Sequence, residues 1–268
     1  MSPVGTPNPV TWSAHERREE IARLVDEVHR ISVADLTVRF RVTDASIRRD
    51  LILLEGEGRL RRIHGGAVSH SAKLAAGSFA TKLRLRYDEK TRIAQAAASM
   101  VKPGEVVLFD SGTTVARVAA QMPASLRAPN AITAVTYSLP VVEELGSWEA
   151  PHLVVVGGLY LPDYRSFVGP QAIDGLRDLT ADVIFLGCDG LTVESGLTTP
   201  HVLVAEVGAA ATSRSRRVVA VADSSKIGRQ GFKTIVGLTD VDVLITDTAA
   251  DLDLVAEIQA AGVEVILV

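Results

Sequence analysis

The 268 residues predict an α/β chain in two parts, a small winged helix-turn-helix domain followed by a larger domain built on a largely parallel sheet. Three observations carry that expectation. Ser32 to Ala67 holds two short helix signatures and a cationic, alternating segment with a Gly-Gly turn. From Glu105 onward, short uncharged Val/Ile/Leu runs alternate with helical segments, as in a sheet covered on both faces. With 47% apolar but only 4% aromatic residues, a chain of this length suits two domains with aliphatic cores.

Met1 to Ser13 has neither a cationic start nor an apolar stretch, so it does not read as a signal peptide; its prolines and polar filler predict a disordered arm over 1–13. His15 to His29 predicts a first helix, with Ile21, Leu24, Val25 and Val28 on one face. Ser32-Val33-Ala34-Asp35 is a helix start, and Leu36 and Phe40 continue its apolar face. After the short turn Arg41-Val42, Thr43 caps a helix from Asp44 to Leu54 with Ile47, Leu51 and Leu54 at helical spacing. Arg59 to Val68 then reads as a β-hairpin wing, which closes a DNA-binding domain over 14–69. Small polar residues follow in a linker over 70–88, and the second domain covers 89–268. Its strands are expected at 106–109, 132–136, 153–156, 183–186, 218–222, 243–245 and 263–267, and its later helices at 114–122, 139–145, 171–179, 202–212 and 252–261.

The first domain points to a duplex. Between Arg39 and Gly66 there are seven arginines against four acids, while the whole chain carries a net charge of −4. Arginine suits bidentate contacts to phosphate and guanine. Ser46, Ile47, Arg48 and Arg49 on the second helix, Ser32 and Thr43 at the helix starts, and Arg61, Arg62 and His64 in the wing are the expected DNA-binding residues.

The second domain points to a small anionic ligand, because ligands of open α/β sheets bind beyond the carboxyl ends of the strands. There the sequence places Asp110-Ser111-Gly112-Thr113-Thr114 ahead of a helix, a pattern of hydroxyls and N–H groups suited to phosphate. Thr136-Tyr137-Ser138, Gly157-Gly158, Asp189 and Lys226 close other strands. No GxGxxG or Walker pattern follows a strand, so no nucleotide cofactor is expected. The single Cys188 cannot form an intrachain disulfide, no Cys/His cluster has metal spacing, and no apolar run is long enough for a membrane span. These features fit a cytoplasmic protein.

Ser46-Ile47-Arg48-Arg49-Asp50-Leu51 and Arg62-Ile63-His64-Gly65-Gly66-Ala67 together resemble the DeoR family of transcriptional repressors. Asp110-Ser111-Gly112-Thr113-Thr114, Val168-Gly169-Pro170, Gly196-Leu197-Thr198-Thr199 and Asp223-Ser224-Ser225-Lys226 extend the resemblance to the C-terminus. It implies a sensor domain similar to ribose-phosphate isomerase, a phosphorylated sugar as effector, a double-stranded operator as partner, and a homodimer or tetramer. It further implies that Ser111 to Thr114 hold phosphate while Asp189 and Lys226 meet the rest of the effector. Three positions depart from the family pattern: Lys82 stands where Phe-x-x-Arg is usual, Tyr137 where Asn is usual, and Gly208 where a helix lysine is common. The isomerase likeness also raises a rival reading, with Asp189, Glu206 and Lys226 as an acid/base set. The winged domain argues against it, since a metabolic isomerase has no use for one.

Overall fold

The computed structural model describes residues 12–28, 30–57, 59–63, 65–69 and 79–268. Residues 1–11 of the arm expected over 1–13, His64 and the 70–78 part of the linker lie outside the described residues, while Trp12 packs on Phe40 and Ser13 caps the first helix. The chain forms two compact units, Met1–Thr81 and Lys82–Val268.

In the first unit, α1 (Ala14–Val28) starts on a reciprocal cap. Ser13 Oγ accepts from the Glu16 N–H at 3.2 Å, and the Glu16 carboxylate accepts from the Ser13 N–H at 3.0 Å. A strand absent from the sequence reading, β1 (Arg30–Ser32), leads into α2 (Val33–Phe40), whose N-cap is Ser32 as expected. Thr43 likewise caps α3 (Asp44–Gly56), its hydroxyl accepting from the Ser46 N–H. Strands β2 (Leu60–Ile63) and β3 (Gly66–Ser69) make the wing, with β1 on the other side of β3. Ile21, Val25, Leu36, Ile47, Leu51, Leu54 and Leu60 fill the core between the helices and the wing.

Two features lock this unit. Asp50, on the inner side of α3, is 3% exposed and takes Arg17 of α1 at 2.6 Å, with Arg18 at 3.8 Å. The Gly-Gly of the wing does two different jobs: Gly65 takes φ 77° in the turn, whereas a Cβ on Gly66 would sit 2.3 Å from the Ile31 carbonyl of β1.

The second unit opens with α4 (Phe79–Arg84), which carries the chain across the unit boundary, and α5 (Tyr87–Ser99). There follow β4 (Val106–Phe109), α6 (Thr113–Ala120), β5 (Thr133–Thr136), α7 (Leu139–Leu145) and β6 (His152–Val155). A hairpin of β7 (Leu159–Leu161) and β8 (Ser166–Val168) leads to α8 (Pro170–Leu176) and β9 (Val183–Leu186). Next come β10 (Gly190–Thr192), β11 (Gly196–Thr199), α9 (Val202–Thr212) and β12 (Val218–Val221). The chain ends with β13 (Lys233–Val236), β14 (Val243–Thr246), α10 (Leu252–Ala260) and β15 (Glu264–Leu267).

Seven strands form one parallel sheet in the order β15-β14-β12-β9-β4-β5-β6, and these are the seven expected from the sequence. Their alternation divides the core. Val107, Phe109, Val183, Phe185, Val219 and Ile245 face α5, α6 and α7, while Leu108, Ile184, Leu186, Ala220 and Leu244 face α8, α9 and α10. Beside this sheet stands a small antiparallel one, β10-β11-β13, none of whose strands was among those expected, and in it Gly196–Thr199 is buried. No described helix is long and apolar enough to cross a membrane.

Candidate functional site

In the first unit, α3 is bracketed by its buried stripe and presents Asp44, Ala45, Arg48, Arg49 and Ile52 to solvent. Arg49 has no hydrogen bond or ion pair among the described residues, and Arg48 lies 2.9 Å from Asp44 one turn away, with both side chains more than half exposed. Such an exposed pair is weak and can yield to a phosphate. Ser46 Oγ lies 3.0 Å from the Thr43 hydroxyl, so these two and Ser32 act first as helix-start residues.

Ile47, expected among the DNA contacts, must be removed from that set. It is wholly buried on the stripe that packs α3 into the unit, and no groove can reach it. The basic run is also less free than its count suggests. Arg39 pairs with Glu20 and Arg59 with Glu19, acids of α1 that lie outside the counted window, and Arg62 pairs with Glu55 inside it. Arg61 is on β2.

In the second unit, the strand order makes β4 the place where connections turn from one direction to the other: β5 and β6 lie on one side of it and β9, β12, β14 and β15 on the other. At this switch point the loop after β4 meets the loop after β9. Asp110 Oδ2 accepts from the Gly187 N–H at 2.9 Å, and Oδ1 accepts from the Tyr137 hydroxyl at 2.6 Å. Burial pushes the Asp110 carboxyl up to about 6 against these hydrogen bonds, and burial likewise raises the Tyr137 phenol.

Asp110 and Tyr137 are therefore spent on each other inside the protein. Both are fully or almost fully buried, and they shape the loop without offering a group to a ligand. Thr136 is also corrected as a ligand contact: it is wholly buried, donates to the Phe109 carbonyl and accepts from the Ser138 N–H. Ser138 is buried too, and its hydroxyl has no partner among the described residues. Gly158 packs where a Cβ would meet the Val168 carbonyl at 2.6 Å, while Gly157 borders open space.

What remains at the switch point is Ser111, Gly112, Thr113 and Thr114 at the start of α6. Gly112 takes φ 117° and gives no side-chain cap, which leaves the first-turn N–H groups without a side-chain partner. Thr113 and Thr114 are each 8% exposed, just inside the surface. Lys226, on the loop after β12, has no ion pair among the described residues.

The structure adds residues that sequence reasoning missed. Asp189 accepts from the Thr199 hydroxyl at 3.0 Å and from the Lys82 ammonium at 3.0 Å. Lys82 lies over the Tyr164 ring, 5.4 Å from its centre, and Tyr164 meets His201 edge-on. Buried Lys90 of α5 donates to the carbonyls of Lys82 and Leu85, and loss of water lowers its ammonium from the usual value. Arg86, at φ 52°, reaches the Ser224 hydroxyl at 3.2 Å and lies 3.6 Å from Asp223. The sequence marked Lys82 only as a departure from the family's Phe-x-x-Arg pattern, and nothing in it singled out Arg86. Glu206, the third member of the rival acid/base set, is exposed on α9 and has no hydrogen bond to Asp189.

Residues 17–73 match the family described as DeoR-like helix-turn-helix domain, and residues 85–248 the one described as DeoR C terminal sensor domain. The HTH-type transcriptional regulator GlpR of Haloferax volcanii is 36% identical over 94% of this chain and 96% of its own length. A putative aga operon transcriptional repressor of Escherichia coli O157:H7 is 32% identical over 94% and 93% respectively. The lactose phosphotransferase system repressor of Streptococcus mutans is 31% identical over 88% and 93%. Among solved structures, ribose 5-phosphate isomerase A of Methanocaldococcus jannaschii covers 53% of this chain and 54% of its own, at 19% identity and a TM-score of 0.40.

Proposed function

The chain belongs to the DeoR family of transcriptional regulators, and from that premise we propose that it represses carbohydrate-catabolism genes until a phosphorylated sugar lowers its affinity for a DNA operator. The relatives named for the aga operon and the lactose phosphotransferase system support the carbohydrate reading. The observation that supports the effector is the uncapped start of α6 at the switch point, formed by Ser111, Gly112, Thr113 and Thr114. Helix-start N–H groups and the helix dipole favour an anion there, and Lys226 offers a cation that has no ion pair among the described residues.

In this reading Arg48 and Arg49 meet the major groove while Arg61, Arg62 and His64 hold neighbouring phosphates. Ser32, Thr43 and Ser46 order the helix starts, with their N-terminal turns close to the backbone of the duplex. The repressor acts as a homodimer or tetramer in the cytoplasm, needs no cofactor, and performs no turnover. Effector binding shifts the balance toward a state of lower operator affinity, a coupling of typically 1–3 kcal/mol.

One paired experiment tests both ends. Replacing Arg48 and Arg49 with Ala should remove operator binding in gel shifts and leave the sugar-phosphate response in thermal shift intact. Thr113→Val should leave operator affinity unchanged and weaken the effector by about tenfold to a hundredfold, the loss of one hydrogen bond to a charged group. Unchanged operator affinity in the first variant, or unchanged release by effector in the second, refutes the corresponding assignment.

A further inference from the structure

The phosphate cradle accounts for one end of an effector and leaves a second cluster of the same unit unexplained. Asp189 stands two residues after Gly187, whose N–H is held by Asp110 beside the cradle. Its carboxylate is an acceptor only, already ordered by the Thr199 hydroxyl. Tyr164 presents a ring face to the same cluster. A carboxylate beside an aromatic face matches the two sides of a sugar, donor hydroxyls on the edge and C–H groups on the face.

Both elements are occupied by one side chain of the protein itself. The Lys82 ammonium sits 3.0 Å from Asp189 Oδ1 and 5.4 Å from the centre of the Tyr164 ring. The pair is partly open to water, with side-chain exposures of 32% for Lys82 and 24% for Asp189, so it is a weak contact that hydroxyls can replace. Beside them, His201 packs edge-on against Tyr164, and its Nδ1 is buried with no partner among the described residues.

We propose that Asp189, Thr199, Tyr164 and Lys82 form a hydroxyl-recognition subsite for a polyol or sugar phosphate, in which Lys82 acts as a built-in surrogate ligand that the incoming hydroxyls displace. This rests on the phosphate-cradle reading and extends it. Lys82 directly follows Thr81, the last residue of the first unit, so its release is felt at the point where the chain passes between units. The two tethers of this point differ. Lys90 holds the Lys82 carbonyl from inside the protein and stays, whereas the Lys82 side chain is the tether that a ligand removes.

The test uses the full chain, calorimetry with inorganic phosphate, glycerol 3-phosphate and fructose 6-phosphate, and amide exchange of residues 79–84. Lys82→Met keeps the aliphatic stem and removes the charge. In the wild type the two polyol phosphates should speed exchange in α4 and inorganic phosphate should not. In Lys82→Met exchange should already be fast without ligand, and polyol phosphates should bind about twofold to fivefold tighter, with inorganic phosphate unchanged. Asp189→Ala should erase the advantage of polyol phosphates over inorganic phosphate. Unaltered polyol affinity and exchange in Lys82→Met, or polyol binding that weakens, overturns the displacement proposal while leaving the cradle in place. Failure of all three probes to bind the wild type overturns the cradle and the subsite together.

Discussion

Asp110 makes a sharp prediction about stability and pH. Its carboxyl is buried between Tyr137 and Gly187 and titrates at about 6 instead of the ordinary 3.8. The folded protein thus keeps this proton to a higher pH than the unfolded chain does. The stabilising contribution is intact below about 4 and is lost as pH rises through about 6. A displacement of about two pH units corresponds to about 3 kcal/mol. Asp110→Asn is the natural control, since an amide can accept from the Gly187 N–H, donate to the Tyr137 oxygen and carry no charge at any pH. The stability of the wild type relative to this variant should therefore fall by about 3 kcal/mol between pH 4 and pH 7. The chain has two tryptophans, Trp12 and Trp148, one in each unit. Urea unfolding followed by Trp148 fluorescence in a Trp12→Phe background isolates the second unit. A difference between the two proteins that stays constant across this range would refute the reasoning, because it would mean that Asp110 titrates alike in the folded and unfolded chains.

The first unit offers two further contrasts. Gly66→Ala places a methyl against the Ile31 carbonyl, backbone against backbone, and should destabilise the unit by about 1–3 kcal/mol or more in thermal unfolding read by Trp12. Gly65→Ala, which meets open space and only a φ of 77°, should cost about 1 kcal/mol; equal losses would undo the close-approach argument. Asp50→Ala leaves Arg17 without its buried partner and should cost about 3–5 kcal/mol, whereas Asp44→Ala breaks only an exposed pair and should cost under about 1 kcal/mol. If the two losses were similar, Asp50 would not be the clamp between α1 and α3.

The parallel sheet was legible because its strands are short uncharged runs of Val, Ile and Leu that need no partner to be recognised, such as Val183–Leu186 and Val218–Val221. Strands β10, β11 and β13 were not: Gly190–Thr192 and Gly196–Thr199 have the composition of turns, Lys233–Val236 is a very short β-branched run beside glycines, and the three are strands through pairing with one another. The helix-turn-helix was legible down to its caps, since Ser32 and Thr43 act locally. The paired state of Arg39 and Arg59 was not, since their partners Glu20 and Glu19 lie on another helix. The same reason hid Lys82, which lies 107 positions from Asp189 in the chain. Thr136 and Tyr137 read as strand-end polar residues, but their hydroxyls turn inward to Phe109 and Asp110, a choice only the packed sheet dictates.

The strand order has a consequence for how the protein is made. β4 is the first strand of the large sheet to leave the ribosome, yet it lies between β5 and β9, and the Asp110–Gly187 bond joins residues 77 positions apart. The central pairing of the second unit must wait for that long stretch to be synthesised, and closing such a separation slows folding. The first unit needs no such delay, since its outermost strand pairing joins Arg30 to Val68. Each nascent chain therefore completes its helix-turn-helix while the second unit is still an open set of strands and helices. A chain that stalls before β9 is made has every residue of its first unit, while β4 still lacks one of its two neighbours in the sheet.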